Sequence, residues 1–199
     1  MSAITEAQAG LGLVEPCLER LPAYVAALKT GWSPNTIRDV SAEELAAIAA
    51  DAPLFLARLR GEAPGIARLP DGTEVPRLPG KVFWIWDGDF CGSINFRHQP
   101  GTEALPPHVS GHAGYAVVPW KQSHGYATRA LGLLLPIACR LGLPRLLLTC
   151  DEGNSASRRA IEANGGVLAD RVEADGTAKL QFWVNTQPRS VEGDPLTTI

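Results

Sequence analysis

The segment Pro119–Thr128, PWKQSHGYAT, constrains this chain more than any other. Before it, GHAGYAVVP (111–119) reads as a strand that Pro119 stops, because proline has no N–H to give a ladder. After it, ATRALGLLLPIACRLGL (127–143) puts Leu131, Leu134, Leu135, Ala138 and Leu141 on one helical face, with a kink expected at Pro136. Gly125 and Ala127 are small where the turn must tighten. Free N–H groups at the helix start then point outward together, and the helix dipole favours anionic oxygens there. The chain has no GxxxxGK[ST] and no GxGxxG after a strand. Neither a P-loop nucleotide site nor a Rossmann dinucleotide site is therefore expected.

Around this junction the chain alternates helical and extended signals. Residues 11–60 are rich in Ala and Leu and read as helical. Ser41 and Glu44 have capping-box spacing ahead of EELAAIAADAPLFLARL, and Pro53 divides that run into two helices. Residues 61–80 hold four Gly and four Pro and read as a long loop. KVFWIWDG (81–88) and DFCGSINFRH (89–98) form a hairpin about Asp87-Gly88. Residues 99–110, with Pro100, Pro106 and Pro107, make a second loop. RLLLTC (145–150) is a continuous apolar run, expected to be a strand buried on both faces. NSASRRAIEAN (154–164) reads as a helix capped by Asn154 and stopped at Gly165-Gly166. VLADRVE and TAKLQFWVNT flank Ala174-Asp175-Gly176 as a final hairpin, and 187–199 read as a frayed tail. The fold class is α/β, in the mixed α+β sense, as a single domain over 1–199. It comprises a helical portion and loop (1–80), a core (81–186) and the tail.

Charge narrows the partners. The 199 residues carry 18 Lys+Arg against 21 Asp+Glu, a formal net charge of −3. Basic residues come at most in pairs such as Arg158-Arg159, so no nucleic-acid partner is expected. No run is long enough for a membrane span, and MSAITEAQAG lacks the features of a signal peptide. Cys17, Cys91, Cys139 and Cys150 share no CxxC spacing and read as reduced thiols of a cytoplasmic protein. His98, His108, His112 and His124 fit no zinc spacing, so no metal is expected.

Two segments together carry a family resemblance. Gln122-x-x-Gly125-x-Ala127 follows a strand, and a second strand leads to Asn154-x-x-Ser157 opening a helix that stops at Gly165. This resembles the Q/R-x-x-G-x-G/A pyrophosphate loop and the following strand–helix motif of the GNAT superfamily of acyl-CoA-dependent N-acetyltransferases. The element order is similar over about residues 80–185, with the specific residues in 111–166. GHAGYAVVPW and IEANGG are similar to a bacterial branch of that superfamily. The resemblance implies a GNAT-like central, mostly antiparallel sheet splayed at a cofactor cleft, with helices on both faces and extra N-terminal helices. It implies acetyl-CoA as cosubstrate, lying between the strand near Val117 and Val118 and the RLLLTC strand. Backbone groups of Val117 and Val118 would pair with the pantetheine amides. The N–H groups from Gln122, Ser123, His124, Gly125, Tyr126, Ala127 and Thr128 would hold the pyrophosphate, and Asn154 and Ser157 would meet the pantetheine arm.

The implied reaction is acetyl transfer to a primary amine of a small molecule or peptide. It needs a base for the ammonium, a polarised carbonyl, and an acid or dipole for the sulfur. Many family members keep a Tyr acid seven residues after the Asn; here that position is Ile161. Only Tyr24, Tyr115 and Tyr126 could replace it. An alternative therefore stands beside the enzyme: a non-catalytic acyl-CoA-binding module or sensor. Many members also carry Arg or Lys just before the loop Gly; here it is His124, whose protonation would favour the phosphates. His112 is the first candidate base, against packing in the sheet, and Glu103 the next, against a solvated charge. Cys150 ends the buried strand near the expected thioester, where it reads as a small hydrophobe ahead of a nucleophile. Arg97 and His98 close a strand on the acceptor side and could bind a substrate carboxylate. Phe182 and Trp183 could pack across a homodimer or fill the core.

Overall fold

A computed structural model describes residues 10–68, 72–174 and 176–187. The segment read for a signal peptide (bar Gly10), Asp175 of the last turn, and the frayed tail beyond Gln187 lie outside the described residues. The elements are β1 (Gly12–Val14), α1 (Leu21–Lys29), α2 (Ser41–Leu59), β2 (Ile66–Arg68), β3 (Glu74–Pro76), β4 (Gly80–Trp86), β5 (Phe90–Arg97) and β6 (Ala113–Val117), followed by α3 (Tyr126–Arg140), β7 (Arg145–Asp151), α4 (Ser155–Ala163), β8 (Val167–Ala174) and β9 (Thr177–Asn185).

One antiparallel sheet has the order β1-β4-β5-β6 and another the order β7-β9-β8. Alternation along β4 divides the interior in two. Phe83 and Ile85 face one core, shared with Ile94, Phe96 and Ala113 of the sheet and with Leu131, Leu134 and Ala138 of α3 and Ile161 of α4. Trp84 faces the other core, shared with Phe90, Ala116 and Val118 and with Tyr24, Leu28, Phe55 and Leu56 of α1 and α2. Helices therefore cover both faces, and each fully buried Leu contributes about 1.5–3 kcal/mol of burial.

Several expectations are corrected. Residues 12–14 are not helical but pair with β4, because the exposed backbone edge of β4 accepts a short strand. The Gly- and Pro-rich stretch 61–80 contains a small hairpin, β2–β3. The capping box does not form: Val40 occupies the N-cap position without a side-chain hydrogen bond, and Glu44 turns inward to Tyr24 instead. Asp39 supplies a local bond, accepting the Ser41 N–H at 2.8 Å. β7 is fully covered on one face only: Leu146, Leu148 and Cys150 are buried while Leu147 and Thr149 are half-buried. It pairs antiparallel with β9 rather than lying between parallel neighbours, so its pattern alternates. Leu141 falls just past the end of α3 and is 52% exposed. The break at Pro53 forms, with Asp51 leaving helical geometry (φ −160°, ψ 88°) and accepting the Leu54 N–H. α3 passes through Pro136 as one helix.

Candidate active site

Among the described residues no ladder joins β6 to β7, the facing edges of the two sheets. They are held at one end by His112. Its backbone N–H donates to the Leu147 carbonyl (2.7 Å), and its Nδ1 accepts the Leu147 N–H (2.9 Å). The Thr149 hydroxyl also donates to the Ser110 carbonyl. With Nδ1 an acceptor, the proton of the neutral ring sits on Nε2, which is buried and has no partner among the described residues. Burial, helped by the nearby Arg97 charge, pushes the His112 pKa down to about 4.

Farther along the gap, Tyr115 projects from β6 toward α4. Its hydroxyl lies 2.9 Å from Ser157 Oγ. Asn154 Oδ1 accepts the Ser157 N–H at 3.0 Å, so Asn154 is the N-cap of α4 and fixes Ser157. Burial raises the Tyr115 phenol above its ordinary pKa and does the same to the Cys150 thiol, so both stay protonated. Cys150 is 7% exposed and packs in the core shared with α3 and α4. Ile161, at the position of the family's usual Tyr, is 1% exposed in that core.

The loop after β6 is shaped by two left-handed residues, Ser123 (φ 62°) and Gly125 (φ 75°), on either side of His124. Successive reversals of this kind turn backbone N–H groups toward one side. α3 begins with Arg129 N–H bonding the Gly125 carbonyl (3.0 Å), and no side chain caps its first turn. The N–H groups of Tyr126, Ala127 and Thr128 thus form an anion-accepting helix end. The Gln122 amide folds back to the Val117 carbonyl (3.2 Å), and His124 Nδ1 donates to the Gln122 carbonyl (2.5 Å). Val118 bonds Cys91 through its N–H and Lys121 through its carbonyl.

Asp87, expected from its spacing only as a hairpin turn, anchors this loop. Asp87 Oδ2 receives Lys121 Nζ at 2.7 Å and the Tyr126 hydroxyl at 2.5 Å. Burial opposes its ionisation, but hydrogen bonds from Lys121, Tyr126 and Cys91 hold its carboxyl well below the usual carboxylate range. Lys121 is therefore engaged in the anchor, and the free donors at the start of α3 are backbone N–H groups. These donors and the open gap between β6 and β7 fit a pyrophosphate and its extended arm.

Other candidates sit elsewhere. Glu103 pairs with Arg145, the first residue of β7 (2.9 Å), whereas Cys150 is near the last, so Glu103 does not join the Tyr115 cluster. His98 stacks on Phe96 and lines a surface recess with Glu103, Thr102 and Leu143. Arg97 is half-buried, donating to the Gly111 carbonyl (2.8 Å) and to Asn95 Oδ1 (3.2 Å), and desolvation lowers its pKa.

The split sheet and the uncapped start of α3 can be set beside known proteins. Residues 73–167 match the family model described as acetyltransferase (GNAT) domain. Residues 73–167 thus resemble the acyltransferase domain of this family. RimJ of Mycobacterium smegmatis, solved with a CoA disulfide, is similar at a TM-score of 0.60 and 22% identity, over 89% of this chain and 83% of its own. A GnaT-family acetyltransferase from Bordetella pertussis is similar at 0.57 and 18%, over 89% and 97%. RimL, a ribosomal L7/L12 alpha-N-protein acetyltransferase solved with coenzyme A, is similar at 0.56 and 16%, over 88% and 93%. At these identities the likeness is one of fold. No curated protein matches the sequence.

Proposed function

We propose that the protein transfers the acetyl group of acetyl-CoA to a primary amine, and that the amine is the α-amine of a peptide or protein. The observation that carries this reading is the unpaired gap between β6 and β7, with converging N–H donors at the start of α3 and the Tyr115 hydroxyl on its wall. The pyrophosphate is bound by the N–H groups from Ser123 to Thr128, and the pantetheine arm runs between the strands toward Ser157. The amine nitrogen attacks the thioester carbon, the C–S bond breaks, and Tyr115 gives its proton to the leaving sulfur. The ammonium loses one proton to solvent before attack, and the proton then shed by the acylated nitrogen restores the Tyr115 hydroxyl by way of solvent. A hydroxyl at Tyr115 supplies the acid that Ile161 cannot, which favours the enzyme over a non-catalytic sensor. His112 acts as the tie that keeps the two sheets together at the closed end of the gap, since its Nδ1 is engaged and its ring stays neutral. The peptide acceptor is supported by likeness in fold to an alpha-N-protein acetyltransferase.

The test is thiol release from acetyl-CoA with tripeptides bearing free α-amines, small-molecule amines and lysine side-chain amines. Turnover confined to free α-amines supports the reading. Tight CoA binding with no turnover on any amine overturns it.

A further inference from the structure

The sheet face beneath α1 and α2 opens to solvent along its length. Cross-strand register sets side chains in rows: Trp84–Ser93–Ala116, then Val82–Asn95–Gly114. Directly opposed residues share a face, and Trp84, Ala116 and Val82 pack toward the core made with the N-terminal helices. Asn95 and Gly114 therefore lie on that face, opposite to Tyr115, which packs against the other core. In the first row Ser93 and Ala116 are buried. In the second, Asn95 and Gly114 are half-buried, so solvent reaches them.

Gly114 also borders the gap. It follows the tie between His112 and Leu147 and directly precedes Tyr115, on the edge of β6 that no ladder joins to β7 among the described residues. It contributes no side chain, and the Asn95 amide lies over it: a Cβ at 114 would stand 3.5 Å from Oδ1 and 3.6 Å from Nδ2. The amide is thus one strand spacing, about 4.8 Å, from the open edge. Its orientation is fixed as well. Arg97 Nη1 donates to Asn95 Oδ1 (3.2 Å), while Arg97 Nε donates to the Gly111 carbonyl (2.8 Å). A guanidinium has donors only, so the amide atom facing it is the oxygen and the NH2 group takes the other position. Among the described residues that NH2 group has no hydrogen-bond partner.

We infer that Asn95 binds the acceptor, its Nδ2 donating to the carbonyl oxygen that neighbours the reacting α-amine. A peptide N-terminus carries such an oxygen on the carbon next to its amine-bearing carbon, whereas a lysine side chain does not. The donor therefore selects α-amines by a group that takes no part in the bond changes. The acceptor reaches the thioester from the face opposite to Tyr115, so the acid and the acceptor do not compete for one side of the gap. The inference rests on the acceptor reading above and deepens it by naming the side chain that tells an α-amine from other amines.

The test uses the CoA-loaded protein and calorimetric binding of Phe-Ala-Ala amide against an analogue whose first peptide bond is replaced by an (E)-alkene. The two share the α-amine and the shape, and the analogue lacks the carbonyl oxygen. Wild type should prefer the peptide by about tenfold, the scale of one hydrogen bond. Asn95→Asp keeps an oxygen for Arg97 and loses the donor, and should erase that preference while leaving the CoA thermal shift intact. Asn95→Ala should erase it too, which serves if the Asp variant loses its fold. A preference that survives in these variants, or no preference in wild type, overturns the inference. Failure of the transferase reading looks different: wild type then shows the Asn95-dependent preference yet releases no thiol from acetyl-CoA with the peptide.

Discussion

The Tyr115 hydroxyl and Ser157 Oγ lie 2.9 Å apart, linking β6 to the first turn of α4. If this phenol protonates the sulfur, Tyr115→Phe should lower kcat by about 100-fold or more. Acetyl-CoA affinity should change little. Because burial raises the Tyr115 phenol, the acid should remain protonated through the neutral and mildly alkaline range. A Phe variant with wild-type kcat at pH 8 removes Tyr115 from the mechanism.

Gly125 sits at φ 75° with open space where a Cβ would project. Gly125→Ala should therefore act through the backbone alone, costing about 1–2 kcal/mol at this left-handed position. If the loop binds phosphate as built, the acetyl-CoA Kd should rise in parallel, with Gly125→Asn milder because Asn tolerates that conformation better. Equal Kd values for wild type and Gly125→Ala would dissociate the loop from cofactor binding.

Asp87 holds Lys121 and Tyr126 together. Its folded carboxyl is depressed, so its contribution to stability is complete above about pH 4 and is lost as pH falls further. Asp87→Asn should lower Tm at neutral pH, raise the CoA Kd, and remove this share of the acid sensitivity. Urea melts of both proteins between pH 2.5 and 7 measure it.

His112 acts in the same direction, over a higher pH window. Its folded pKa, about 4, lies below the unfolded value, so the unfolded chain binds the extra proton first. Stability should be unaffected by this ring above about pH 6.5 and should fall toward pH 4, by at most about 1.4 kcal/mol per unit. His112→Ala strands the Leu147 N–H and should cost about 1–3 kcal/mol at pH 7.5. If the variant keeps full stability, the tie between the sheets is unimportant.

Much of the architecture was legible because it rests on local signals. The Asp87-Gly88 hairpin, the Asn154 cap and the α3 apolar face each follow from neighbours in sequence. The turn at Gly125 between β6 and α3 was legible for the same reason, though Ser123 taking a left-handed φ was not: glycine announces that conformation and serine does not. Long-range partners were hidden. Nothing near Glu44 in sequence says that Tyr24 will claim it, and its spacing from Ser41 suggests a helix cap instead. Tyr115 was visible on its strand, but which face it took depended on the register of β6 against β5. Glu103 and Arg145 are drawn together by the placement of one loop against the first residue of β7, which no spacing records.

The short strand β1 has a bearing on how the protein can be handled. Gly12–Val14 cover the outer edge of β4, opposite Trp84, Ile85 and Trp86. Trimming the chain past Val14 would bare a hydrophobic strand edge, and such edges template intermolecular sheet growth. Truncated preparations should accumulate in inclusion bodies even with the catalytic cleft untouched, whereas a fusion partner placed upstream of Gly10 should be tolerated.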